Sequence, residues 1–243
     1  MFGKNQTAKI AHDQSGDSLE VHSIFYTIQG EGPHAGEPAI FIRLAGCNLK
    51  CHFCDTEFER FSTASVEEIV DRVMRANKDS ASSLVVLTGG EPMRQQIVPL
   101  VEALDEAGYY TQIETAGTCW PPGLEKIIVG ACELVCSPKT PKVHPKVETM
   151  CQHWKYIIRK GEISALDGLP NMSTQVPGSK AELFRPHDCT ATIWVQPCAE
   201  YYPLNLELIN PEASMENAQE CVRIAMLYGY RVSVQVHKIL GLE

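Results

Sequence analysis

Three cysteines lie close together on one segment, Gly46-Cys47-Asn48-Leu49-Lys50-Cys51-His52-Phe53-Cys54. Their Cys-x3-Cys-x2-Cys spacing directly follows an apolar run that predicts a strand. Three thiolates on one loop can ligate three irons of a cubane iron–sulfur cluster and leave the fourth iron open. A zinc ion or an electron-transfer cluster would need a fourth ligand, which Cys119, Cys132 or Cys136 could bring through the fold. The spacing favours a 4Fe-4S cluster, with zinc binding or plain thiols as the alternatives.

A second segment suited to ligand binding is Thr88-Gly89-Gly90-Glu91-Pro92. Two adjacent glycines let the backbone approach a ligand closely. The segment follows a buried apolar run, so it is expected at the carboxyl end of a parallel strand, where α/β enzymes place their active sites. An ordinary turn is the alternative interpretation.

Arg43 is the third feature that predicts chemistry. It lies between Ile42 and Leu44 in an apolar run, where an unpaired guanidinium would be costly. It therefore needs a carboxylate, from Glu31, from Glu114 or from a ligand. A guanidinium matches a carboxylate with two parallel hydrogen bonds. A structural ion pair and a substrate contact both remain open.

Short apolar runs and amphipathic helices alternate along the chain and must position these residues. Runs rich in Val and Ile predict buried strands over residues 39–45, 83–88, 110–114, 133–137, 154–159, 191–196 and 231–236, and residues 21–26 are a candidate for another. Ser65 and Glu68 have the spacing of a helix capping box, and Gly108 and Gly229 are plausible helix stops. Such alternation predicts an α/β fold with a mainly parallel sheet, and six or seven strands predict a partial, open barrel.

Composition limits the class of protein. The 243 residues are 44% hydrophobic and 21% charged, as in a globular domain. Residues 1–18 show no periodicity and are expected to form a mobile leader before a single domain over 19–243. A net charge of −9 argues against nucleic acid as a partner, and no apolar run is long enough to cross a membrane. Ten cysteines without a secretory signal predict a reducing compartment, the cytoplasm.

The cysteine motif, with an aromatic residue before its last cysteine, and the Gly-Gly-Glu-Pro segment resemble the radical S-adenosylmethionine (SAM) enzymes. Within that superfamily the chain resembles the 7-carboxy-7-deazaguanine synthases. The blocks that carry this resemblance are Phe25-Tyr26-Thr27-Ile28-Gln29-Gly30-Glu31-Gly32, Phe41-Ile42-Arg43-Leu44-Ala45-Gly46-Cys47, Cys54-Asp55-Thr56, Ile113-Glu114-Thr115-Ala116-Gly117, Cys136-Ser137-Pro138-Lys139, Val195-Gln196-Pro197 and Gln235-Val236-His237-Lys238.

The resemblance implies a radical lyase. Such an enzyme uses a reduced 4Fe-4S cluster and SAM to take a hydrogen from 6-carboxy-5,6,7,8-tetrahydropterin. The ring then contracts, ammonia leaves, 7-carboxy-7-deazaguanine forms and SAM is regenerated, as in deazapurine biosynthesis of the queuosine type. The resemblance also implies Mg²⁺, a homodimer and an electron donor such as a flavodoxin.

Site residues follow from the same resemblance. Cys47, Cys51 and Cys54 would ligate the cluster, and Thr56 would bind Mg²⁺. The residues expected to bind SAM are Gly90, Ser137, Pro138, Lys139, Gln196, Pro197, Cys198 and Ala199. Those expected to bind the pterin are Ile28, Gln29, Gly30, Glu31, Arg43, Thr88, Glu114, His237 and Glu243.

The tail Ile239-Leu240-Gly241-Leu242-Glu243 departs from the family pattern. Its apolar side chains suggest docking onto the domain, and the terminal carboxylate could accept hydrogen bonds from a pterin. A packed tail without substrate contact is the alternative. For the whole chain, the competing functions are a glycyl-radical activase of the same superfamily and an iron–sulfur electron carrier or zinc-binding module.

Overall fold

The computed structural model describes Thr7 and residues 14–54, 56–78, 80–187, 190–202 and 205–242, without the side chains of 205–207. The predicted leader lies largely outside these residues. Thr7 forms a parallel bridge to Cys47, and the first strand begins at Ser18. In the described part of the chain, no helix is both long and apolar enough to span a bilayer.

One open sheet organises the domain. Its strands are β1 (Ser18–Ile28), β2 (Pro38–Leu44), β3 (Ser62–Ser65), β4 (Leu84–Gly89), β5 (Tyr110–Thr115), β6 (Cys132–Cys136), β7 (His153–Ile158), β8 (Thr192–Pro197) and β11 (Arg231–Val232), and β9 (Tyr201–Tyr202) pairs with β10 (Asn205–Ile209) in a separate hairpin. The order is β11-β8-β7-β6-β5-β4-β2-β1-β3. Pairing is parallel from β11 to β2, while β1 is antiparallel to β2 and to β3. The predicted α/β fold with an open, mainly parallel sheet is confirmed.

The helices are α1 (Val66–Ala76), α2 (Val98–Glu106), α3 (Pro145–Met150), α4 (Pro211–Tyr228) and α5 (Val236–Leu240). The predicted capping box opens α1, because the Ser65 hydroxyl accepts from the Glu68 N–H while the Glu68 carboxylate accepts from the Ser65 N–H. Gly229 ends α4 in the left-handed conformation, with φ of 77°. Gly108, with φ of 84°, directly follows the C-cap of α2, so all three predicted helix signals are confirmed.

The last predicted strand is wrong in its length. Residues 231–236 were expected to form a strand, but β11 pairs only Arg231 and Val232 with β8. The chain then leaves the edge of the sheet and enters α5 at Val236. At an edge, only one neighbour offers hydrogen bonds, so a short β-prone run is free to turn away.

The hydrophobic core fills the space between the sheet and its helices. Leu100 and Ile69 are fully buried against it, as are Trp154 and Tyr156 of β7. On the opposite face of the sheet, the strands also carry polar side chains. Two of these, Glu114 and Lys155, are bonded to each other. The sheet therefore carries polar groups on the face opposite its hydrophobic core.

Two ion pairs made by His34 predict a pH-dependent stability. His34 lies 3.0 Å from Glu133 Oε1 through Nε2 and 3.0 Å from Glu37 through Nδ1. The hydrogen bond to Glu133 raises the pKa of His34, and burial opposes that rise. The contact with Glu37 raises the pKa further, so that it reaches about 9. The stabilisation is therefore complete below an unfolded-state pKa of 6.5 and is lost as the pH rises through about 9.

Replacing His34 with Gln should remove that dependence. Urea unfolding measures the difference in free energy of unfolding between the wild type and the variant. This difference should be larger at low pH than at high pH by about 1 kcal/mol, a modest value because solvent screens a partly exposed ion pair. Titrating groups far from His34 are common to both proteins and cancel in the difference, whereas His153 shares Glu133 with His34 and contributes to it. Parallel pH profiles for the two proteins would show that the pair contributes nothing.

Candidate active site

A cavity of about 260 Å³ opens at the carboxyl ends of the parallel strands. The end of β4, the end of β5, the loop after β6, the strand β7 and the loop after β8 each contribute to its wall. The cysteine loop closes one side. The residues expected from the sequence that line it are Cys47, Cys51, Cys54, Thr56, Thr88, Gly90, Glu114, Ser137, Lys139, Gln196, Pro197, Cys198 and Ala199. Segments far apart in the sequence thus meet at one site.

The cysteine loop is anchored at Gly46, directly after β2. Gly46 has a φ of 76°, and a Cβ there would lie within 2.4 Å of the Arg94 guanidinium. Arg94 is buried, donates to Ala45 O and pairs with Glu20. A glycine is therefore required at the point where the chain turns from the strand into the loop.

The three thiols fit an iron–sulfur cluster. All three are half-buried and line the same cavity. Burial raises the pKa of Cys47 to about 12, so cluster ligation, which needs the thiolate, would release a proton there. Among the described residues, no group of three or more His, Cys, Asp and Glu side chains is arranged to hold a single metal ion. Three thiols on one cavity wall match the three protein ligands of a cubane cluster with one open iron.

Gly89 packs against the end of β2, and Gly90 packs against the start of the cysteine loop. A Cβ on Gly89 would lie 2.0 Å from Leu44 O, and one on Gly90 would lie 2.0 Å from Gly46 O. The Gly90 N–H donates to Leu44 O at 3.0 Å. The sequence argument assigned these glycines to close ligand approach. In the structure, the close contacts that require these glycines are with the end of β2 for Gly89 and with the start of the cysteine loop for Gly90.

Glu91 ties this segment to the next strand. Its fully buried carboxylate accepts from the Met93 N–H at 3.0 Å, the Thr115 hydroxyl at 2.7 Å and the Ala116 N–H at 2.7 Å. Burial raises the pKa of Glu91, and these hydrogen bonds oppose that rise. Glu91 therefore fixes the relative position of the β4 and β5 ends that face the cavity.

Lys155 is a site residue that the sequence argument missed. Its ammonium, on the β7 wall of the cavity, contacts Glu31 at 2.6 Å and Glu114 at 2.7 Å. Gln235 donates to the other oxygen of Glu31 at 2.7 Å, and Gln112 does the same for Glu114 at 2.7 Å. One buried cation thus orients two carboxylates. Lys155 carries the same sequence signal as Arg43, because it is a charged residue inside an apolar strand.

The two carboxylates differ in their proton affinity. Burial alone would raise the pKa of Glu31, but attraction to Lys155 and hydrogen bonds from Lys155 and Gln235 lower it to about 2. Burial raises the pKa of Glu114, and Lys155 only partly offsets this. Burial lowers the pKa of Lys155, yet the two carboxylates raise it overall. Glu31 is therefore the firmly ionised member, and Glu114 binds a proton more readily.

Arg43, a second cation in an apolar strand, has an aromatic neighbour. The buried cation that Glu31 and Glu114 contact is Lys155, whereas the Arg43 guanidinium stacks over the Phe25 ring at 4.7 Å. Arg43 is in register with Thr88 of the neighbouring strand β4. The guanidinium therefore stands beside the cavity wall, and an aromatic ring supports it.

Two further loops complete the cavity. Lys139 donates to Ser137 O at 3.0 Å and contacts the Ser137 hydroxyl, and burial lowers the pKa of Lys139. On the other loop, Gln196 accepts from the Ser233 hydroxyl at 3.0 Å, and the Cys198 N–H donates to Ile158 O at 2.9 Å. The side chain of Pro138 borders a smaller recess next to the main cavity.

The segment before β2 packs against the segment that leads into α5. A Cβ on Gly30 would lie 1.9 Å from His237 Nδ1, and Val236 N–H donates to Gly30 O at 3.1 Å. Ile28, Gln29, Gly30 and His237 lie beside the cavity rather than in its lining, and Glu31 reaches it through Lys155. Glu243 and Asp55 lie outside the described residues.

The expected docking of the tail is wrong for the described residues. Ile239, Leu240 and Leu242 are 71%, 59% and 41% exposed. The short helix α5 presents His237 to the domain at Gly30, which leaves these apolar side chains in solvent. Gly241 ends the helix at φ 66°, and the Leu242 N–H closes it on His237 O at 2.9 Å.

Comparisons with known proteins agree with this geometry. The radical SAM superfamily matches residues 41–141, which include the three cysteines and the Gly-Gly-Glu-Pro segment. The 7-carboxy-7-deazaguanine synthase of Rhodospirillum rubrum is 40% identical over 245 residues, covering 99% of both chains. That of Rickettsia prowazekii is 35% identical, covering 100% of this chain and 96% of the relative.

The fold has a counterpart among solved structures. The crystal structure of QueE from Escherichia coli superposes with a TM-score of 0.65 at 24% identity, covering 91% of this chain and 96% of that one. The likeness supports the open parallel sheet described above. The two bacterial relatives, matched over nearly the full length of both chains, show that this chain belongs to the 7-carboxy-7-deazaguanine synthase family of radical SAM enzymes.

Proposed function

We propose that this chain is a radical SAM lyase that converts 6-carboxy-5,6,7,8-tetrahydropterin to 7-carboxy-7-deazaguanine with loss of ammonia. One observation carries the proposal: the three thiols, Glu114 and Lys155 line a single cavity, and Lys155 also binds Glu31. A radical made at the thiols would meet a substrate held at Glu114 and Lys155. The names of the full-length relatives specify the product.

The cofactors are those of the family, a 4Fe-4S cluster and SAM. Cys47, Cys51 and Cys54 would hold the cluster, which when bound and reduced supplies the electron that cleaves SAM. Gly90 would face the methionine end of SAM. Ser137, Pro138 and Lys139 would meet its ribose and carboxylate, and Gln196, Pro197, Cys198 and Ala199 its adenine end. The chain's own contribution is to orient SAM and keep water from the reacting atoms.

The remaining residues would bind the pterin. Carboxylate oxygens of Glu31 and Glu114, fixed by Lys155, can accept from the pterin's amino group and ring N–H groups. Arg43 and Thr88, side by side on β2 and β4, can donate to the substrate carboxylate. Ile28, Gln29, Gly30, His237 and Glu243 would complete the site. Because burial raises the pKa of Glu114, this carboxyl group takes up a proton more readily than Glu31 does.

A magnesium ion is part of the proposal. Thr56 lines the cavity two residues after Cys54, so its hydroxyl could bind Mg²⁺ together with substrate oxygens and water. Replacing Thr56 with Ala should raise the magnesium concentration needed for half-maximal turnover about tenfold or more, while Thr56→Ser should stay near wild type. Full turnover of the Ala variant at limiting magnesium would contradict the assignment.

Two partners and a compartment complete the proposal. We expect a homodimer, and the exposed apolar side chains Met215, Val222 and Met226 of α4 offer surface for one. An external donor such as a flavodoxin would deliver the first electron. Cytoplasmic conditions suit the nine free cysteines of the described residues, which need a reducing compartment.

Anaerobic turnover tests the function. The reconstituted protein, given the carboxylated tetrahydropterin, SAM, Mg²⁺ and a chemical reductant, should release 7-carboxy-7-deazaguanine and ammonia, identified by mass spectrometry. Turnover of this small molecule without any partner protein would exclude a glycyl-radical activase. Cluster reduction without SAM binding would instead indicate an electron carrier and would overturn the proposal.

A further inference from the structure

A segment between β7 and β8, residues 173–175, clamps the cysteine loop on both sides of Cys51. The main-chain oxygen of Thr174 accepts from the His52 N–H at 2.9 Å. The side-chain oxygen of Gln175 accepts from the Lys50 N–H at 2.9 Å. Cys51 lies between these two bonded residues. Its position therefore depends on a segment more than a hundred residues away in the sequence.

Gln175 also contacts the Cys51 sulfur. Its side-chain Nε2 lies 3.2 Å from Cys51 Sγ and 2.7 Å from the Thr174 hydroxyl oxygen. The orientation of the amide is determined by Lys50, because a backbone N–H needs the oxygen of the amide and so leaves the nitrogen for the sulfur. Gln175 thus aims an N–H donor at the cysteine sulfur.

Thr174 holds this arrangement in place but offers the sulfur no proton. Its buried hydroxyl donates to Lys139 O at 2.9 Å, although the oxygen is also 3.4 Å from Cys51 Sγ. By accepting the second N–H of Gln175, the same oxygen fixes the amide plane. Of these two side chains, Gln175 is the one that can donate to a thiolate.

We propose that Gln175 is a positioning residue that raises the reduction potential of the cluster through an N–H···S hydrogen bond to Cys51. The inference rests on the proposed function, since it needs a 4Fe-4S cluster on these cysteines. One-electron reduction makes the cluster and its sulfurs more negative. A hydrogen bond to a ligand sulfur therefore stabilises the reduced form more than the oxidised one.

A redox titration of the reconstituted protein, followed by electron paramagnetic resonance, tests this role. Replacing Gln175 with Leu removes the donor. Replacing it with Glu keeps the acceptor for the Lys50 N–H, removes the donor and adds negative charge. Both variants should keep about four irons per chain and shift the reduction equilibrium at least tenfold toward the oxidised cluster, which is about 59 mV for one electron. The Glu variant should shift further.

The matched control is Gln219→Leu, the same chemical change at an exposed position of α4. Its potential should equal that of the wild type. Unchanged potentials in both Gln175 variants, with iron content preserved, would overturn the inference. Loss of iron from both would also overturn it, because Gln175 would then hold the loop rather than set the potential. If the Gln175 variants show the expected shift in reduction potential but the wild-type protein leaves the pterin unchanged, the proposed function is refuted and the role of Gln175 stands.

Discussion

Replacing Lys155 with methionine is expected to lower kcat/KM for the pterin about a hundredfold and the free energy of unfolding by about 3 kcal/mol. The substitution keeps the length of the side chain but leaves Glu31 and Glu114 buried without their shared cation. Both carboxyl groups would then bind protons more tightly, and their fixed orientation toward the cavity would be lost. Steady-state kinetics and urea unfolding measure the two effects.

The pH dependence of this variant adds a sharper test. Carboxyl groups whose folded-state pKa is raised stabilise the fold at low pH and cost stability as the pH rises through that value. The loss of unfolding free energy in Lys155→Met, relative to the wild type, should therefore be smaller near pH 5 than near pH 8. Lys160→Met is the matched control, because Lys160 is exposed and lies 3.6 Å from Glu216. If both variants behave alike, Lys155 has no special role.

Replacing Cys51 with alanine is expected to abolish SAM cleavage and leave the domain folded. The lost thiol lies half-buried on a loop, outside the hydrophobic core, so the melting temperature should change little. Cluster content after reconstitution should fall well below about four irons per chain, the content of one cubane cluster. Formation of 5′-deoxyadenosine and an iron assay provide the readouts.

Cys119→Ala is the control for this prediction. Cys119 is also a half-buried thiol, but it does not line the cavity. This variant should keep its iron and its SAM cleavage. Retained cleavage in Cys51→Ala, or equal loss in both variants, would remove the cysteine loop from the proposed chemistry.

Features that depend on local spacing could be predicted from the sequence. The cysteine spacing, the capping box at Ser65 and the helix stop at Gly229 are short-range features, and each has the expected structure. The parallel strands were visible as apolar runs because both of their faces are covered. Their carboxyl ends then had to lie along one edge of the sheet.

Long-range pairing could not be predicted in the same way. The sequence pattern singled out Glu31, Glu114 and Arg43 but not Lys155, the cation that contacts both carboxylates. Both residues interrupt apolar strands, and only the order of strands decides which one meets Glu31 and Glu114. The contact between Gln175 and Cys51 lies beyond sequence reasoning for the same reason, since a loop with no regular pattern carries it.

The central claim is most directly tested by counting product against cleaved SAM in one anaerobic reaction. The reaction contains the reconstituted protein, the carboxylated tetrahydropterin, Mg²⁺, SAM and a reductant. The account predicts that 7-carboxy-7-deazaguanine accumulates in large molar excess over 5′-deoxyadenosine, because SAM is regenerated in each turnover. Steady formation of 5′-deoxyadenosine while the pterin remains unchanged would contradict it.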